Sequence, residues 1–246
     1  MLEEWPRPLL KNALLGILSI MLPAVMLAWI MDTALELAGT LLSRTVVLIA
    51  IGALLVLRPL REHHPFERIG AANYITMARG CLALLLLGML GIESTPQLQA
   101  AALGIAMISS SLDAADGWAA RRTQMSSAYG ARFDMETDAL LILTLSLLAW
   151  QFDKAGAWVL LSGLLRYGFV VASWLLPWLQ QPLPPSYRRK TVAALQTIAL
   201  VIAIAPFIQR NITAPLCACA LAILVWSFLV DIVALNRRSS NSTAIS

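Results

Sequence analysis

Charge is scarce in this chain. Of its 246 residues only 13% are Asp, Glu, Lys or Arg, while 59% are hydrophobic, which argues against a soluble domain of that length. Histidine is nearly missing, at two residues, and cysteine is rare, at three. Cys81, Cys217 and Cys219 all lie in apolar runs, so they read as small core residues and not as a disulfide framework. Cys217 and Cys219 form C-x-C with no further Cys or His nearby to complete a zinc site. A cleavable signal peptide is not expected either, because Glu3 and Glu4 spoil a basic leader and no small-residue cleavage pattern follows. The net charge of +4 does not point to nucleic acid, since the bases crowd into short loops between apolar runs.

Those apolar runs dominate what is present. Eight are long enough for a membrane helix, at about 12–31, 37–57, 74–92, 98–116, 133–151, 156–178, 191–209 and 214–235. The expected fold is therefore all-α, a polytopic membrane helical bundle. Arg44 interrupts the second run and is expected to snorkel to the nearer interface. With the N-terminus in the cytoplasm, all of the 18 Lys and Arg residues fall inside or at the inner edge except Arg44 and Arg166, which lie within spans, and Lys154 and Arg210, which fall in outer loops. Trp29, Trp150, Trp158 and Trp178 lie near span ends, as an aromatic belt requires. The stretch from Arg58 to Ala72, with His63 and His64, is too polar to span and suits a segment lying on the inner surface. It divides a pair of N-terminal transmembrane helices (1–58) from a six-span remainder (59–236). Residues 237–246 read as a polar, unstructured tail.

Between Asp113 and Asp138 the chain reads DAADGWAARRTQMSSAYGARFDMETD. Asp113 and Asp116 are three apart at the inner end of the fourth span, and Asp134 and Asp138 four apart at the start of the fifth, so each pair shares a helix face. A connecting loop of about fifteen residues would let the faces meet. One such Asp is most simply a solvated helix cap, but four in paired register beside glycines are hard to explain that way, given the cost of charge near a bilayer. Four converging carboxylates repel, and divalent cations relieve them. Oxygen ligands alone select hard ions such as Mg²⁺ or Mn²⁺. Gly117 allows close backbone approach, Ala120 keeps it narrow, and Arg121 offers a fork of donors for phosphate. The parts suit a metal-held pyrophosphate compound.

The pattern Asp113-x-x-Asp116-Gly117-x-x-Ala120-Arg121, then Gly130, Asp134 and Asp138 at their spacing, resembles the signature of the CDP-alcohol phosphotransferases. Upstream, Asn73-x-x-Thr76-x-x-Arg79 resembles that family's second conserved element. The resemblance spans about 60–235 and implies a six-helix catalytic core preceded here by two extra helices. It implies transfer of a substituted phosphoryl group from a CDP-linked alcohol to a second alcohol, with release of CMP. It also implies two Mg²⁺ or Mn²⁺ ions held by Asp113, Asp116, Asp134 and Asp138, with Asp138 as general base and a homodimer as the assembly. Asn73, Thr76, Gly117, Arg121 and Ser127 match positions that contact the CDP moiety, and Arg79, Ala120 and Gly130 belong to the same two motifs.

Other residues carry open readings. Arg166, near the middle of the sixth span, either holds a phosphate or makes an internal ion pair. Arg188, Arg189, Lys190 and Thr191 open the seventh span, where they either bind substrate phosphate or anchor the inner face. Gln196 follows later than in relatives that carry a Lys-Thr pair. Asp231 is expected to pair with a nearby base. Ala139 stands where relatives with phosphorylated acceptors carry Lys or Arg, which weakens that acceptor class. The leading expectation is an enzyme of phospholipid synthesis in a bacterial inner membrane, with its active site on the cytoplasmic side. It would join CDP-diacylglycerol to a small polar alcohol. The alternatives are a CDP-linked head group donated to diacylglycerol and, in a different class, a cation transporter.

Overall fold

The computed structural model describes the backbone of residues 7–63, 71–123, 128–181 and 186–243, and side chains at 16, 18–55, 73–113, 130–176, 178–181 and 186–236. Among the described residues there are eight α-helices, two short 3-10 turns and no strand. The helices are α1 (Arg7–Ala34), α2 (Thr40–His63), α3 (Ala71–Gly88), α4 (Pro96–Thr123), α5 (Ala128–Gln151), α6 (Leu161–Leu175), α7 (Tyr187–Ala203) and α8 (Arg210–Thr243). The 3-10 turns, Ala157–Leu160 and Pro177–Gln180, flank α6. The chain is an all-α membrane bundle. By length and composition Ala157–Leu175 and Arg210–Asn236 can cross a bilayer, and shorter apolar stretches occur at Leu18–Ala34, Thr40–Leu55 and Asn73–Gly88. Large apolar side chains such as Leu22, Leu54, Trp174 and Leu175 are exposed along these helices, as lipid-facing surfaces demand and an aqueous surface would penalise.

Three local expectations change. Helix α4 continues to Thr123 and α5 starts at Ala128, so most of the expected fifteen-residue loop is helix. The run Trp118–Arg122 is rich in good helix formers and carries no proline to stop it. Helix α2 likewise continues through Arg58–His63, the start of the stretch expected on the inner surface; His64 and its neighbours to 70 lie outside the described residues. Helix α8 extends through 237–243, expected to be unstructured, since NRRSSNST contains neither Gly nor Pro.

The chain forms two compact units, Met1–Leu141 and Ile142–Ser246, the second beginning inside α5. In the first, α1 and α2 make a hairpin closed by Asp32, a buried carboxylate that accepts the backbone N–H groups of Gly39 at 2.6 Å and Leu41 at 2.8 Å. These are orphan donors at the start of α2, and an acid suits that end of the helix dipole. The hairpin lies along α3. The Tyr74 ring occupies the space beside Gly16 that a Cβ would fill, and Leu84 fits against Gly52. Ala24, Ile49 and Cys81 form a common core for the three helices. Arg44, expected to snorkel, donates to the carbonyl of Leu90 at 2.5 Å and so satisfies the C-terminal end of α3. Thr95 caps α4, its hydroxyl accepting the Leu98 N–H at 3.1 Å with Pro96 in the first helical position.

In the second unit, Gly163 brings α6 close against α5: a Cβ there would meet Leu143 Cα at 2.5 Å. Gln196 is buried and donates to Ser162 Oγ at 2.9 Å, tying α7 to α6. Lys154, expected in an outer loop, is buried. Its ammonium donates to the Ala205 and Ile208 carbonyls, both at 2.8 Å. Burial lowers its pKa from the ordinary lysine value, while the two carbonyls stabilise the charged form. Arg210 pairs with Asp153, so the two bases assigned to outer loops tie the α5–α6 connection to the α7–α8 connection.

Candidate functional site

Helix α3 supplies the centre of the site. Asn73, Thr76 and Arg79 follow one another at three-residue steps and are all buried, Arg79 to 1% exposure. A buried guanidinium is unstable without anions beside it. Two neighbouring helices provide them. Arg79 Nη1 donates to Asp134 Oδ1 at 2.6 Å, and Nη2 reaches Asp113 Oδ1 at 2.9 Å and also Asp138 Oδ1. Asp134 and Asp138, one turn apart on α5, therefore face α3 together, and Asp113 meets them from α4.

One oxygen from each of the three carboxylates lies within 4.8 Å of the others, the reach of a shared metal ion. Their side chains are half open to solvent, at 50% for Asp113, 42% for Asp134 and 37% for Asp138, whereas Arg79 lies closed beneath them. In the described cluster three carboxylates face one cation, so the acids outnumber their counter-charge. Charge-assisted hydrogen bonds hold the acids in place without neutralising them. The geometry suits an incoming divalent cation.

Asp113, Asp134 and Asp138 thus converge as their helical spacing predicts. Asp116, Gly117, Ala120 and Arg121 fall on the last turns of α4, but their side chains, and Ser127 altogether, lie outside the described residues. Gly130 is half-buried in the first turn of α5. Arg166 is half-buried on α6, and Lys190 is exposed at the start of α7, both in the second unit. Beside Lys190, Arg188 donates to Asp231 Oδ1 at 2.5 Å, the Ser227 carbonyl at 2.6 Å and Ser227 Oγ at 2.7 Å, and sits 5.6 Å from the Trp226 ring centroid. Arg189 approaches the same Asp231 oxygen at 3.3 Å. Asp231 is paired as expected, and Arg188 serves to join α7 to α8. The role that spacing alone missed is Arg79 as the cation among the acids. Its signal was a lone arginine inside an apolar run, which requires partners.

An all-α membrane bundle that gathers three carboxylates within 4.8 Å has the ligands for a cation. The sequence model of the CDP-alcohol phosphatidyltransferase family matches residues 69–231, two thirds of the chain, and the protein belongs to that family. No curated protein and no solved structure matches the chain. Membership makes it a transferase of phospholipid synthesis, moving a phosphatidyl or phosphoalkyl group between a CDP-linked substrate and an alcohol, and it sets the transporter alternative aside.

Proposed function

We propose that the protein transfers a phosphatidyl group from CDP-diacylglycerol to the hydroxyl of a small polar alcohol, releasing CMP. The observation that carries this reading is the convergence of Asp113, Asp134 and Asp138 within 4.8 Å, in a chain of this family. The donor set fits a hard divalent ion: its ligands are all carboxylate oxygens, and the described acids outnumber their counter-charge, Arg79. Asp113, Asp134 and Asp138, with Asp116, would hold Mg²⁺ or Mn²⁺, two ions in the complete site. The ions would supply charge stabilisation for the diphosphate and the departing CMP.

The chain's own residues account for the remaining steps. On the family resemblance, Arg121 and the backbone at Gly117 would hold the diphosphate, and Asn73, Thr76 and Ser127 would contact the nucleotide. Asp138 accepts the proton of the attacking hydroxyl. The alcohol oxygen bonds to the phosphorus that carries diacylglycerol, and the bond from that phosphorus to the CMP oxygen breaks. Asp138 lies one turn further along α5 than Asp134 and is the least exposed of the three acids. A base so placed reaches a hydroxyl that has already entered the site. Acyl chains in the inner leaflet and a nucleotide in water suit acids set where the apolar runs of α4 and α5 give way to polar sequence. We assign the site to the cytoplasmic face of a bacterial inner membrane on the distribution of bases, and a homodimer on family resemblance.

The test supplies purified protein with CDP-diacylglycerol, Mg²⁺ or Mn²⁺ and a panel of alcohols, and identifies the lipid product by mass spectrometry. A phosphatidyl-alcohol together with CMP is expected. CMP formed only from CDP-linked head groups and diacylglycerol would reverse the substrate roles, and no CMP from either donor class would overturn the proposal.

A further inference from the structure

We infer that Arg79 is the resident counter-cation of the acid triad: it gathers Asp113, Asp134 and Asp138 before a divalent ion arrives, and it competes with that ion for them. The inference rests on the metal-site reading above and assigns Arg79 a task distinct from contacting substrate.

Three observations carry it. Arg79 is the large charged side chain with almost no exposure, at 1%, while each acid it touches keeps an open face. Its two terminal nitrogens are shared among carboxylates from two helices, with Nη2 reaching both α4 and α5. A planar fork does this and an ammonium does not. Finally, the helix that bears it is held from behind by the N-terminal hairpin, through Tyr74 against Gly16, Leu84 against Gly52 and Arg44 on the Leu90 carbonyl. The guanidinium is therefore a fixed charge beneath the acids.

A fixed cation in contact with three metal-ligating oxygens has two opposed effects. It lowers the repulsion among the acids and so stabilises the metal-free protein. It also repels a divalent ion and so weakens metal binding. An arginine that served only to hold substrate phosphate would show neither effect: its loss would reduce CDP binding and leave metal affinity unchanged.

Mn²⁺ alone is the probe. Binding to the detergent-purified full chain is measured by the paramagnetic resonance of free Mn²⁺, with the melting temperature recorded with and without the ion. Arg79→Met should melt earlier without metal, bind Mn²⁺ more tightly by about tenfold or more, and gain more melting temperature from Mn²⁺ than the parent. Arg79→Lys retains a charge without the fork and should show the same change at about threefold; it decides the matter should the Met variant fail to fold. Unchanged or weaker Mn²⁺ binding in the folded variant overturns the counter-cation role while leaving the metal site standing. Absence of Mn²⁺ binding by the parent protein overturns the metal site itself.

Discussion

Two charged clusters in this molecule use the same residue types to opposite ends. Among the described residues, one arginine of the first unit faces three aspartates, and two arginines of the second face one aspartate. Asp231 is 12% exposed, and its partner Arg188 also satisfies the Ser227 carbonyl and hydroxyl and lies near the Trp226 ring. That cluster is satisfied from within and fastens α7 to α8. The triad around Arg79 has more acids than described bases and keeps open carboxylate faces, an arrangement that favours binding a cation. Ion pairing is thus a poor guide to function by itself; the balance of charge and the exposure of the acids distinguish a site from a strut.

Breaking each cluster should therefore damage a different property. Asp113→Asn should lose more than about 100-fold in Mn²⁺ affinity, measured by titration of the purified protein. Asp138→Asn should lower the rate of CMP release by about 10²–10⁴-fold while CDP binding changes little, which single-turnover and binding measurements separate. Arg188→Met should instead destabilise the fold by about 1–3 kcal/mol, because it removes the nearer of the two arginines on Asp231 and the donor to the Ser227 carbonyl; Arg188→Met combined with Asp231→Leu should recover part of that loss in a denaturant titration. Gly163→Ala should cost about 1–3 kcal/mol by forcing α6 away from the Leu143 backbone, again read as stability. The smallest effect belongs to Ala38→Gly. Ala38 has φ of 52°, a left-handed conformation that favours glycine, so this change should stabilise by about 1 kcal/mol and leave CMP release unaltered.

The acid triad was legible in sequence because helical spacing alone places Asp134 with Asp138 and because apolar runs bracket the stretch. The eight helices were legible for the same reason, with α1 to α8 each overlapping an expected span. What spacing could not reveal was contact between distant positions. Arg79 meets Asp134 and Asp138 from 55 and 59 residues away, and its motif pointed to substrate instead. Lys154 looked like a solvated loop base, and only folding brings the Ala205 and Ile208 carbonyls within its reach. The ends of α4 and α8 are not legible from polarity, because polar residues without Gly or Pro continue a helix readily.

Divalent-ion-dependent CMP release from CDP-diacylglycerol, measured side by side for the purified protein, Asp113→Asn and Asp138→Asn, tests the role of the acids most directly. The parent protein should release CMP only when both the ion and an alcohol are present, and both variants should be nearly silent although folded. Turnover at the parent rate in either variant, or release that persists in a strong chelator, would contradict the claim that these acids hold the ion on which the reaction depends.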